Sequence, residues 1–280
     1  MSDTRLPFVK MEGLGNCYVF VEAIRLKNVN PSRLAARISD AHIGIGADGL
    51  IAIDSRKPPF RLRIFNSDGS EAEMCGNGLR QAALYLKLLK QSDQSRFEIS
   101  MRSGVFAAEI ISRKGNTAQV KTILGRPDFS RSGVGLKTSR GLGFGQKFKY
   151  GKHIYDADCV SIGNPHAVVL VKNFDLEWPA IGESLSRHRM FSNGINVHFV
   201  KIENRRRFAM RTVERGSGVT QACGSGAGAS LTVGIMRGLL DKSAVAVMPG
   251  GNLKLAWDFS SGLITQLGPS RMVCRGEYLA

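Results

Sequence analysis

Apolar positions along the chain fall mostly into short runs. Tyr18 to Val21, Leu50 to Ile53, Ala167 to Val171 and Val197 to Val200 have the length and composition of buried strands. Arg61 to Phe65 alternates charged and apolar residues, and Phe208 to Val213 does so loosely, which predicts half-buried strands. Helical spacing is rarer. Leu79, Ala82, Ala83 and Leu86 fit an i, i+3, i+4, i+7 face. Ala227 to Leu240 is apolar nearly all round, so it predicts a helix enclosed by protein. Pro31 to Asp40 also reads as a helix. Strands outnumber helices. The pattern predicts an α+β fold in which a mostly antiparallel sheet curls around one buried helix.

That pattern occurs twice. Cys75-Gly76-Asn77-Gly78 resembles Cys223-Gly224-Ser225-Gly226, 148 residues further on. The same offset relates Gly15-Asn16 to Gly163-Asn164, Gly46-Ala47-Asp48 to Gly194-Ile195-Asn196, and Arg63 to Asn66 with Arg211 to Glu214. Ser103-Gly104-Val105-Phe106 pairs with Gly250-Gly251-Asn252-Leu253 at an offset of 147. A shared register over this span implies internal duplication of a unit of about 120 residues. Gly44-Ile45-Gly46-Ala47-Asp48-Gly49 matches G-x-G-x-x-G, but a helix precedes it and a strand follows. A dinucleotide site needs the reverse order.

Charge changes the picture little. Lys and Arg number 39 against 23 Asp and Glu, a formal charge of +16. This raises an anionic partner such as nucleic acid. The charges are dispersed, however, and the densest stretches, Arg205-Arg206-Arg207 and Arg126 to Lys152, carry no interleaved aromatics, zinc pattern or RNP-like motif. A soluble enzyme with a basic surface and no nucleic-acid partner is expected. No apolar run approaches the ~20 residues of a membrane span, and the first residues lack a signal-peptide core. The expectation is a cytoplasmic protein with no membrane partner.

Five cysteines are present, Cys17, Cys75, Cys159, Cys223 and Cys274, with no C-x-x-C. An odd number with this spacing is neither a disulfide scaffold nor a zinc ribbon, and no metal-ligand cluster or phosphate loop is visible. Two of the five matter. Cys75 and Cys223 each stand in C-G-x-G at the start of a helix. Unpaired N–H groups and the positive end of the dipole there favour a thiolate, predicting a pKa below about 8.5. The same N–H groups can hold a carboxylate, and the glycines leave the backbone open to it. Pseudo-two-fold symmetry would aim both sulfurs at one point. A thiolate and a thiol on opposite faces of one carbon suit inversion of a stereocentre: one removes the α-proton, the other delivers a proton.

With these features the sequence resembles the diaminopimelate epimerases. The matching segments are Lys10 to Asn16, Gly44 to Leu50, Arg63 to Gly78, Gly163-Asn164-Pro165-His166-Ala167, Gly194 to Val197, Glu214-Arg215-Gly216 and Ala222 to Ala227, followed by Gly250-Gly251, Trp257 and Gly268-Pro269. The resemblance implies two pseudo-symmetric domains, 1–124 joined by the last strand 268–280, and 125–267. It implies cofactor-independent conversion of LL-diaminopimelate to meso-diaminopimelate, in lysine and peptidoglycan biosynthesis, by a homodimer. On matching positions, Cys75 and Cys223 are the acid–base pair. Gly76, Asn77, Gly224 and Ser225 hold the carboxylate at the reacting centre. Asn16, Asn66, Asn164, Asn196, Glu214 and Arg215 bind the substrate, and His166 and Glu214 tune protonation. Two positions depart from the family: Cys17 stands where Asp is usual, and Val219 where Glu is usual.

Two other readings stay open. One is a related cofactor-independent racemase or epimerase of another amino acid. Glu214-Arg215 and the four asparagines weigh against it, because they match the family's grip on the distal end of diaminopimelate. The other is a non-enzymatic anion- or nucleic-acid-binding protein, which leaves the matched cysteines unexplained.

Overall fold

The computed structural model describes residues 5–89, 93–137 and 141–279. It divides into two units, Met1–Thr122 with Gly268–Ala280, and Ile123–Leu267. The first unit contains β1 (Arg5–Gly13), β2 (Asn16–Glu22), α1 (Pro31–Ser39), β3 (Gly49–Asp54), β4 (Phe60–Asn66), β5 (Glu71–Ala72), α2 (Gly76–Leu89), β6 (Arg96–Met101), β7 (Gly104–Lys114) and the larger part of β8 (Thr117–Gly125). The second contains α3 (Arg131–Val134), β9 (Gln146–Tyr150), β10 (His153–Ser161), β11 (Pro165–Leu170), α4 (Trp178–Ser186), β12 (Asn196–Asn204), β13 (Arg207–Glu214), β14 (Gly218–Thr220), α5 (Gly224–Met236), β15 (Ser243–Met248), β16 (Gly251–Trp257) and the start of β17 (Ile264–Leu279).

Alternation explains how each sheet is covered. In the first unit Tyr18, Phe20, Ile51, Ile53, Leu62 and Ile64 pack with Leu79, Ala82, Ala83 and Leu86 of α2. The intervening Val19, Val21, Leu50 and Ala52 pack with Leu34, Ala35 and Ile38 of α1. Side chains of a strand alternate between faces, so two helices need two apolar faces and the strands read as continuous apolar runs. Helix α1 is well specified locally. The Asn30 side chain accepts from the Ser32 and Arg33 amides, and Pro31 fills the first turn. In the second unit Ala167, Val169, Val197 and Phe199 pack with Ile181 and Leu185 of α4. The alternate residues His166, Val168 and His198 lie on the α5 face.

The pairing is duplicated as well as the sequence. Most neighbours are antiparallel, but β2–β3 and β4–β6 are parallel, as are β11–β12 and β13–β15. Parallel neighbours need a crossover, and α1, α2, α4 and α5 supply the four. The β6–β7 and β15–β16 turns also match, with Gly104 at φ +140° and Gly251 at φ +134°. In the first unit β17 pairs with both β1 and β8, which closes the sheet around α2. Every residue of α2 from Asn77 to Leu86 is buried.

Helix α5 starts at Gly224 and ends at Met236, short of the expected Leu240. Gly238 takes φ +71°, and the Leu239 and Leu240 amides turn back to the Gly234 carbonyl, a glycine-stopped helix end. Among the described residues no helix is long and apolar enough to cross a membrane.

Candidate active site

In the first unit Cys75 immediately precedes α2. Its sulfur accepts from the Gly78 amide at 3.3 Å, and its thiol lies 3.6 Å from the Tyr18 hydroxyl. The amide contact uses one of the donors that a helix start leaves unpaired. Asn16 opens β2. Its side chain donates to Asp48 at 2.9 Å, and Gln81 of α2 donates to its carbonyl at 2.9 Å. Asn16 Oδ1 is buried and has no hydrogen-bond partner among the described residues. Asn66 donates to Ser70 Oγ at 3.0 Å. Asn77 is buried, and its Oδ1 accepts from Arg80. Arg80 is fully buried. Its guanidinium is pushed down to about 10 by desolvation, against the pull of Cys75 and Glu12.

The second unit places a carboxylate beside its cysteine. Cys223 is the N-cap residue of α5 and is 4 % exposed. Its thiol donates to Glu214 Oε2 at 3.3 Å and lies 3.7 Å from Ser225 Oγ. Glu214 Oε1 accepts from Thr220 at 2.7 Å. Burial raises the pKa of Glu214 and raises that of Cys223 well above its ordinary 9.0; for the thiol, the nearby Glu214 charge adds to the effect. This corrects the expectation of a lowered thiol pKa here. Desolvation and a carboxylate outweigh the helix dipole, so the resting form is a thiol donating to a carboxylate.

Behind Cys223 runs a buried polar chain. His166 Nε2 meets Asn164 Oδ1 at 2.9 Å, His166 Nδ1 meets His198 Nε2 at 2.9 Å, and His198 Nδ1 meets Thr212 Oγ1 at 3.0 Å. An amide oxygen only accepts, which fixes the proton order. His166 carries its proton on Nε2, His198 donates from Nε2 to His166 Nδ1, and the Thr212 hydroxyl donates to His198 Nδ1. Burial holds both imidazoles neutral: His166 is well below its ordinary value, with His198 and Arg215 adding to the shift, and His198 is near 3. Nothing larger than hydrogen fits at position 226, where a Cβ would come within 2.1 Å of the His198 ring. Asn196 spans two groups, donating to the Pro165 carbonyl at 3.1 Å and accepting from the Arg215 amide at 2.9 Å. The Arg215 side chain is exposed and donates to the Asn193 carbonyl.

This sequence matches the diaminopimelate epimerase family over residues 8–129 and 159–273. The chain belongs to that family. A diaminopimelate epimerase of Methanococcus maripaludis is 36% identical over 97% of this chain and 99% of its own length. One of Halothermothrix orenii is 36% identical over 97% of each. Among solved structures, a hydroxyproline epimerase of Agrobacterium vitis with bound trans-4-hydroxy-L-proline superposes with a TM-score of 0.69, covering 98% of this chain and 91% of that one. At 12% identity it shares the fold alone.

Several features of this diaminopimelate epimerase family member escaped the sequence pattern. Arg80 interrupts an apolar helix and reads as a surface residue, yet the closed sheet buries it. His198 and Thr212 belong to strands, and only the register opposing them shows that they meet. Sequence spacing gives no metal-ligand cluster, whereas the fold brings His166, His198 and Cys223 within 4.8 Å of one another. Of the basic triplet, Arg205 pairs with Asp241 and Arg207 with Glu203, as expected of a solvated surface run.

Proposed function

We propose that this protein epimerises LL-diaminopimelate to meso-diaminopimelate without a cofactor, with Cys75 and Cys223 as the acid–base pair. The observation that carries this reading is the matched thiol at the start of the buried helix in each unit, one of them bonded to Glu214. Glu214 takes the Cys223 proton, which yields the thiolate. In one direction that thiolate removes the α-proton, and the Cys75 thiol delivers a proton to the opposite face of the same carbon. The roles exchange in the other direction. After each turnover Glu214 releases its extra proton to solvent and the Cys75 thiolate takes one back, so protons balance over the cycle. The amides at Gly76, Asn77, Gly224 and Ser225 hold the α-carboxylate as charge builds on the carbon. Asn16, Asn66, Asn164, Asn196 and Arg215 bind the remaining ammonium and carboxylate groups, which need such partners once desolvated. The neutral His166 keeps the Asn164 amide oriented. A homodimer acting in the cytoplasm belongs to the same reading.

Incubation with LL-diaminopimelate in D₂O tests it, with chiral analysis and mass measurement. The expected product is the meso isomer carrying one solvent deuterium at the inverted carbon. Absence of inversion, or inversion without deuterium, would sink the proposal. Sedimentation at micromolar concentration tests the dimer.

A further inference from the structure

Three donor groups meet behind the second cysteine: the Cys223 sulfur and one ring nitrogen from each of His166 and His198, all within 4.8 Å and all on buried residues. We propose that these three residues form an inhibitory zinc site, in which a captured ion takes the Cys223 sulfur out of service. Thiolate and imidazole are the donors that zinc favours. The outer shell is already present. With His166 Nδ1 and His198 Nε2 as ligand atoms, His166 Nε2–H donates to Asn164 Oδ1 and His198 Nδ1 faces Thr212 Oγ1. Zinc-bound histidines characteristically carry such a partner on the other nitrogen.

Entry of the ion requires two proton changes. The proton between the rings leaves His198 Nε2, and Nδ1 gains one, so Thr212 switches from donor to acceptor, as a hydroxyl can. The Cys223 S–H bond breaks, a Zn–S bond forms, and one proton goes to solvent. The two inner nitrogens are 2.9 Å apart. Zinc–nitrogen bonds of about 2.0–2.1 Å at tetrahedral angles separate them by about 3.3 Å, a small movement of two rings.

Among the described residues the first unit has no such arrangement at the matching positions. Gly78 faces Ile51 there as Gly226 faces His198. Ile51 opposes Ile64, as His198 opposes Thr212. Tyr18, opposite Gly49, holds the register of His166, opposite Asn196.

Inhibition rests on the two-thiol reading; binding of the ion does not. The test uses the full chain, freed of metal and kept reduced with a phosphine. Cobalt(II) should bind with one equivalent and give a sulfur-to-metal charge-transfer band that zinc abolishes. X-ray absorption of the zinc form should show one sulfur at about 2.3 Å and two imidazole nitrogens at about 2.0–2.1 Å. His198→Gln should weaken binding at least tenfold, and Cys75→Ser should keep the band. No uptake by the folded protein, no imidazole in the absorption spectrum, wild-type affinity in His198→Gln, or a band lost in Cys75→Ser would overturn the site. The absorption measurement needs no variant, so a misfolded His198→Gln leaves the test intact. Uptake with the expected ligands but undiminished turnover would uphold the site and overturn the two-thiol reading instead.

Discussion

Cys223 and Cys159 are both buried thiols, and their neighbours give them opposite fates. Cys223 has a carboxylate to receive its proton. Cys159 packs in the core of the second unit, where burial and Asp158 push its thiol up to about 12. Cys75→Ala or Cys223→Ala should each lower turnover by roughly 10²–10⁴, the usual loss for a positioned acid or base. Cys159→Ala should leave steady-state kinetics unchanged. At pH 9 the buried Cys159 should stay a thiol, so native protein should resist alkylation there. Peptide mapping after iodoacetamide treatment checks this. The sign for stability follows. The unfolded thiol ionises near 9.0 and the folded one near 12. The unfolded state therefore loses its proton first, and stability should fall as pH rises from about 9 toward 12. Urea melts across that range should show a shallower fall for Cys159→Ala. The proposed cysteine pair stands out in the sequence through its repeated C-G-x-G setting. The raised pKa of Cys223 does not: burial, its main cause, follows from the packed fold, and Glu214, which adds to it, is nine residues away in sequence and meets the thiol across the β13–β14 hairpin.

Equivalent helix starts can tolerate change differently. A Cβ at Gly226 would come within 2.1 Å of the His198 ring, whereas one at Gly78 would meet the tip of Ile51 at 2.9 Å. Gly226→Ala should cost about 1–3 kcal/mol through overpacking, because a hydrogen-bonded ring cannot step aside. Gly78→Ala should be close to neutral: the Ile51 methyl can rotate, and alanine gains up to about 1 kcal/mol of helix propensity. Urea midpoints for the pair separate the two cases, and adding His198→Ala should recover much of the Gly226→Ala loss. At this scale the sequence was informative. Apolar runs located β2, β3, β11 and β12, and the all-round apolar stretch located a buried helix. Two details were hidden. The stop of α5 at Met236 depends on Gly238, whose apolar neighbours Leu239 and Leu240 extend the helical pattern past it. Burial of Arg80 follows from a sheet that closes on α2, which no local window contains.

The whole chain shows its duplication in the 148-residue offset, and the structure repeats it as parallel pairs bridged by helices. The second half of β17 breaks the symmetry. It runs antiparallel to β1 over eight residue pairs, from Arg5↔Leu279 to Glu12↔Arg271. Deleting residues 268–280 should leave β1 and β8 as open edges and remove cooperative unfolding of the first unit. Hydrogen exchange should then find β1 unprotected; retained protection at Val9 and Met11 would refute this. The same strand sets an order of events during synthesis. A ribosome delivers the first unit's helices and its strands β1 to β8 early, but their final partner is almost the last segment to emerge. Until then the nascent unit presents an incomplete sheet, and closing it joins residues 274 positions apart. Such distant pairing is slow and leaves edges exposed to other chains. The second unit, though later in sequence, ends at Leu267 and so is fully synthesised before that closure. The half translated first is therefore the half completed last, so premature termination near the C-terminus should yield chains whose N-terminal half aggregates.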